Sequence, residues 1–132
     1  MSKTIILIPS RLAASRLPNK PLLKINNNSI INLVFQKAVS AAIGDVYVAT
    51  GDKEIFNNVT QNGGKCILTN QAHKTGTDRI FEAITKLNLT DIEYVINLQG
   101  DEPMINIEDI KNLKKCAIES KSQLATLACK IN

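Results

Sequence analysis

The feature that most constrains this chain is a change of hydrophobic period along its length. Short runs of aliphatic residues, each about as long as a buried strand, alternate with stretches whose apolar residues recur every third or fourth position. The runs are Thr4–Ile8, ended by Pro9, then Val46–Thr50, a weaker Lys65–Thr69, Tyr94–Leu98 and Leu124–Cys129. Between them, Ile31, Val34, Phe35, Ala38 and Ala42 make one helical stripe; Ile55, Phe56 and Val59 make a second, stopped by Gly63 and Gly64. Ile80, Ala83, Ile84 and Leu87 form a third, with Thr77 as its N-cap. Ile107, Ile110, Leu113 and Ala117 form the last, capped by Asn106 with Glu108 and Asp109 in its first turn. Strand and helix patterns taking turns in this way predict an α/β fold: a mostly parallel sheet with helices on both faces. There is no linker, repeat or low-complexity tract, so residues 1–132 read as one unit. The sequence stops directly after the fifth strand pattern, as a piece of a larger domain would.

Charge narrows the partners. The net charge is +4, but the lysines are scattered, and Lys114–Lys115 is the one adjacent basic pair. Without a basic run or interleaved aromatics, a nucleic-acid partner is not expected. Thr4–Ile8 is too short for a signal peptide or a membrane span, so the expectation is a soluble, cytoplasmic protein. Cys66, Cys116 and Cys129 are odd in number and lack metal-type spacing, and read as reduced thiols.

In parallel sheets, ligands gather beyond the carboxyl ends of the strands, so the segments after each strand carry the functional signal. After the first comes "PSRLAASRLPNKPL", with Arg11, Arg16, Lys20, three prolines and no acid. Three cations on a segment stiffened by prolines suit a polyphosphate, although no glycine-rich Walker pattern is present. After the second, Asp52 is placed to cap the following helix. After the third, Gly76 and Thr77 lead into a helix whose N-terminus suits an anion, and Arg79 sits in its first turn, against the dipole. An anionic ligand would explain that placement. After the fourth, "NLQGDEPM" brings Asp101 and Glu102 together, hard oxygen donors of the kind Mg²⁺ takes. The chain uses lysine almost everywhere it needs positive charge, and its three arginines, Arg11, Arg16 and Arg79, all fall in these segments. Arginine offers a planar fork that grips phosphate or carboxylate through two bonds.

The motifs "IPSRLAASRLPNKPL", "YVATGDKEI", "HKTGTDRI" and "INLQGDEPMI" resemble, in order and interval, those of cytidylyltransferases for 3-deoxy-D-manno-octulosonate (Kdo). The resemblance covers the whole chain as the N-terminal half of such an enzyme. It implies a Rossmann-like fold of the nucleotide-diphospho-sugar transferase type. It also implies transfer of CMP from CTP to Kdo with release of pyrophosphate, for lipopolysaccharide biosynthesis, with Mg²⁺ as cofactor. By the same resemblance, Ser10, Arg11, Arg16, Lys20, Thr75 and Gly76 would bind the nucleotide. Arg79 and Gln99 would face the sugar acid, and Asp101 would hold the metal. Arg11, Lys20 and Asp101 would form the catalytic set. A homodimer is implied too, with most of its contact surface beyond Asn132. The chain departs from the family in having Asn19 where glycine is usual, Gly51 before Asp52 where aspartate directly follows the threonine, Ser10 for alanine and Thr75 for serine. Two other readings stand beside this one: a cytidylyltransferase for another acidic sugar such as sialic acid, and a non-catalytic CTP-binding fragment.

Overall fold

A computed structural model describes residues 3–12, 20–70, 76–87, 92–98, 106–112 and 124–126. In chain order, β1 (Lys3–Ser10) is followed by a 3-10 turn (Lys20–Leu22) and a small hairpin of β2 (Lys24–Ile25) and β3 (Asn28–Ser29). Then come α1 (Ile30–Ser40), β4 (Asp45–Thr50), α2 (Lys53–Gln61), β5 (Cys66–Leu68), α3 (Gly76–Leu87) and β6 (Ile92–Asn97). A helical segment over residues 107–112 precedes β7 (Leu124–Thr126).

Five strands pair in the order β5-β4-β1-β6-β7, and every pair is parallel. The aliphatic run of β1 explains why this strand is central: Ile5, Ile6, Leu7 and Ile8 are all 0% exposed. Alternation sends them to opposite faces. Ile6 and Ile8 join Val46, Val48, Ile96 and Leu98 under α1 and α2, where Ile31, Val34, Ile55 and Val59 close the core. Ile5 and Leu7 join Ala49 and Val95 under α3, against Ile80 and Ala83. Each such Val, Leu or Ile side chain contributes roughly 1.5–3 kcal/mol by leaving water. Helices therefore cover both faces, as the sequence pattern predicts.

The chain moves outward from β1 through β4 to β5, then returns to the other side of β1 with β6 and β7. The direction reverses at the boundary of β1 and β6. Pro9 does not end β1; the strand runs on to Ser10, pairing Pro9 with Ala49 and Ser10 with Thr50. On the other side the ladder stops at Leu7 and Asn97, with a last bond from Leu98 N–H to Leu7 O at 3.0 Å. Leu7 thus bonds toward β6, Ile8 toward β4, and position 9 again toward β6. A proline there has no N–H to give, and it stands one step past the final rung.

Local details also differ from the sequence reading. The hairpin, which the periodicity does not predict, lies in the asparagine-rich "KINNNS". Asn26 and Asn27 have φ 52° and 70°, the paired positive values of a type I′ turn. Ser29, the last residue of the hairpin, caps α1 by accepting from Asn32 N–H at 3.2 Å. Ala42 falls beyond α1 instead of in its stripe, with φ 55°. The third helix begins at Gly76, so Thr77 lies inside it instead of capping it. Two expectations hold. Gly63, at φ 83°, ends α2, with Gly64 N–H bonded to Val59 O and Gly63 N–H to Thr60 O, the paired bonds of a Schellman motif. Asn106 caps the 107–112 segment through its Oδ1 and Asp109 N–H, 2.9 Å apart.

Candidate functional site

Because all five strands are parallel, the carboxyl ends of β1, β4, β5 and β6 lie along one rim of the sheet. Side-chain and backbone bonds tie three of those ends together. Thr69 N–H, just past β5, donates to Thr50 O at the end of β4 at 2.7 Å. Asp52, just past β4, accepts from Leu12 N–H, just past β1, at 2.9 Å. The Asp52 N–H donates in turn to Thr50 Oγ1 at 3.1 Å, which fixes the turn leading into α2.

Asp52 occupies the N-cap position of α2 but makes no side-chain capping bond. This corrects the sequence expectation: the carboxylate is spent on the β1 end, not on its own helix. The nearest helical donors lost to a longer-range partner whose position depends on the tertiary fold.

Arg79, in the first turn of α3, is only 3% exposed. Its Nη1 donates to Thr69 Oγ1 at 2.5 Å and to Asn70 O at 3.2 Å. One turn on, Glu82 accepts from Asn70 N–H at 3.0 Å, and Lys86 pairs with Glu82 at 3.2 Å. A single face of α3 therefore clamps the chain leaving β5. This gives Arg79 a local reason for opposing the helix dipole, one that needs no ligand. Burial lowers the Arg79 pKa from the usual guanidinium value; Asp52 and Glu82 act to raise it, and the positive charge of Arg11 acts to lower it. Arg79 thus responds to both Arg11 and Asp52, which places the groups from β1, β4 and α3 within electrostatic reach of one another.

Among the described residues, two polar atoms on this rim are buried without a hydrogen-bond partner. Ser10 Oγ stands at the last position of β1, and Asn97 Oδ1 at the last position of β6. A third, Thr4 Oγ1, lies at the opposite end of β1. Unsatisfied buried atoms are uncommon, and two at the ends of the strands that flank the reversal point mark where a polar ligand would be met.

Of the nucleotide and sugar residues expected from the sequence, the structure describes five. Ser10 is buried and Arg11 exposed at the β1 end. Gly76 opens α3, and Arg79 is buried three residues later. Lys20 opens the 3-10 turn, which packs on α1 and α2. Arg16, Thr75, Gln99 and Asp101 lie outside the described residues. Among the described residues no group of three His, Cys, Asp or Glu side chains converges, and no helix is long and apolar enough to cross a membrane. Sequence reading passed over Asp52 as a tether, Thr69 as the partner of Arg79, and Asn97. Thr69 and Asn97 carried only the weak signal of a polar residue at the end of an apolar run.

A sequence model of the family described as cytidylyltransferase matches residues 5–132. The chain is 44% identical, over 99% of its length, to a 3-deoxy-manno-octulosonate cytidylyltransferase of Rhodopseudomonas palustris strain BisB18, covering 54% of that protein. It is 43% identical to the enzyme of the same name from Thermodesulfovibrio yellowstonii, over 97% of this chain and 52% of that one. Among solved structures, a CMP:2-keto-3-deoxy-manno-octonic acid synthetase complexed with CTP superimposes with a TM-score of 0.83 at 40% identity, covering 92% of this chain and 49% of the other. The chain spans about half the length of the curated relatives it matches.

Proposed function

This chain belongs to the cytidylyltransferase family, and on that footing we propose that it is the nucleotide-binding half of an enzyme that transfers CMP from CTP to 3-deoxy-D-manno-octulosonate. The observation that carries the reading is the rim itself. Arg11 and Arg79, far apart in sequence, come within electrostatic reach beside the unpartnered Ser10 hydroxyl, at the carboxyl ends of a parallel sheet. In the reaction, the sugar's anomeric hydroxyl oxygen forms a bond to the α-phosphorus of CTP. The bond to the β-phosphate oxygen breaks, pyrophosphate leaves, and the hydroxyl proton passes to solvent. Such a transfer needs positioning and charge neutralisation more than covalent help.

In this reading Arg11, Lys20 and Arg16 offset the triphosphate's charge, which would otherwise repel an anionic sugar. Ser10, Thr75 and Gly76 complete the nucleotide contacts. Arg79 and Gln99 face the sugar acid, Arg79 with the part of its guanidinium other than the Nη1 committed to Thr69 and Asn70. Mg²⁺ would be held by Asp101, a hard oxygen donor of the kind that ion accepts in ones and twos, and would supply further neutralisation of the leaving pyrophosphate. The cytoplasm, where CTP is made, is the compartment that fits.

Because the chain spans about half of its relatives, binding of CTP without turnover is the second reading. Both are tested together by titrating the chain with CTP in Mg²⁺, then adding Kdo and following pyrophosphate. Binding with release supports the transferase, and binding without release supports the half-site. A folded chain that binds no CTP overturns both.

A further inference from the structure

We propose that Asp52 is the positioning residue of the site, holding the Arg11 end of β1 in a binding-competent shape before any nucleotide arrives. The inference rests on the CTP reading above, and it starts from an oddity of charge. A carboxylate beside cations that await a polyphosphate opposes the ligand by simple repulsion. A bystander acid at this place would therefore weaken binding. Yet Asp52 is built into the rim from three directions. Its Oδ2 accepts Leu12 N–H at 2.9 Å, its own N–H donates to Thr50 Oγ1 at 3.1 Å, and its O accepts from Phe56 N–H at 3.0 Å in the first turn of α2. The residue is rigid because a strand end and a helix start both fix it.

The bond to Leu12 reaches across 40 positions of sequence, and it grips the residue directly after Arg11. Leu12 itself packs against the core beneath α1 and α2. Arg11 is thereby held between Ser10, which ends the strand paired to Thr50, and Leu12, which is pinned to Asp52. Past the β4 pairing that ends at Ser10, no other backbone bond is described at that point, and the β1–β6 ladder has already stopped at Leu7. The groups facing Asp52 include Arg79, whose buried guanidinium is drawn up in pKa by this carboxylate and pushed down by Arg11. Asp52 thus also offsets the mutual repulsion of two arginines that must share one site while it is empty. A charge-assisted bond to a backbone N–H is about twice as strong as a neutral one, which suits a tether.

The proposal makes a prediction of sign. D52A removes a negative charge from the neighbourhood of a polyanion, so a bystander role predicts equal or tighter CTP binding. A positioning role predicts the opposite: CTP affinity falls about tenfold, and the Leu12 amide exchanges with solvent about tenfold faster, while the amides of Ile6 and Val48 keep their protection. D52N keeps an acceptor for Leu12 N–H without the charge, so it recovers most of what D52A loses in both measurements. The experiment is calorimetric titration with CTP and residue-resolved amide exchange on the 132-residue chain, wild type and both variants. D52A with wild-type or tighter affinity overturns the proposal, as does an unchanged Leu12 exchange rate. Should the wild-type chain bind no CTP, the functional reading falls separately. The tether is then judged on Leu12 exchange in D52A alone, faster exchange upholding it and unchanged exchange refuting it.

Discussion

Ser10 ends β1 with its hydroxyl buried and, among the described residues, without a partner. Such a group costs about 1–3 kcal/mol of stability when it goes unmet. S10A is therefore expected to raise the unfolding free energy by about 1 kcal/mol in urea denaturation. If the hydroxyl is met by nucleotide, the same variant weakens CTP binding by up to about tenfold in titration. Stability and affinity moving in opposite directions is the signature of a residue kept for its ligand. Cys66 makes a second prediction at this scale. Burial pushes its thiol up to about 12, with a backbone bond to Ile67 acting slightly the other way. A raised folded pKa means the folded state holds its proton longer than the unfolded chain. This contribution to stability is complete below about pH 9, the ordinary thiol value, and is lost as pH rises toward 12. Alkylation by iodoacetamide at about pH 8 should leave Cys66 unmodified in the native chain and modify it in urea.

The inner strands β1, β4 and β6 were legible because their runs are apolar for one physical reason, burial under helices. Ile5 to Ile8 read as a buried strand from their unbroken aliphatic run, whereas the central place of that strand came only with the pairing. The hairpin at Asn26–Asn27 was missed because its strands are two residues each, too short to show a period of two. Asp52 was misread for a different reason: capping is a local rule, and the competing donor, Leu12 N–H, becomes near only once β1 and β4 pair. The site was thus legible as a set of charged segments, whereas the bonds that hold it together were not. The connection from α1 to β4 tests the same logic by mutation. Ala42 sits at φ 55°, where a Cβ is strained, so A42G should stabilise the chain by about 0.5–1 kcal/mol. Two residues later the reverse holds. A Cβ on Gly44 would lie 1.9 Å from the backbone carbonyl oxygen of Thr4, so G44A must displace the central strand and should cost more than about 3 kcal/mol. Thermal unfolding of both variants checks the pair.

For the molecule as a whole, the all-parallel arrangement β5-β4-β1-β6-β7 puts the carboxyl ends of all five strands on one side. Ligand binding should therefore stabilise the entire sheet, not one loop. At a CTP concentration about 100 times Kd, the chain should gain about 2.7 kcal/mol, which for a domain of this size raises Tm by roughly 10 °C. The gain should shrink as sodium chloride is raised from about 0.05 to 0.5 M, because Arg11 is exposed and its attraction to phosphate is screened. A shift indifferent to salt would mean that the triphosphate is not what the cations hold.

Pro9 has a consequence out of proportion to its size. Were any other amino acid there, its amide hydrogen would point at β6 and could add one more rung between the two middle strands. The imino acid forbids that rung permanently, at no cost in ordering a loop and with no moving part. Beyond Leu7, β1 is thus kept from pairing further with β6 by one hydrogen atom that the sequence leaves out.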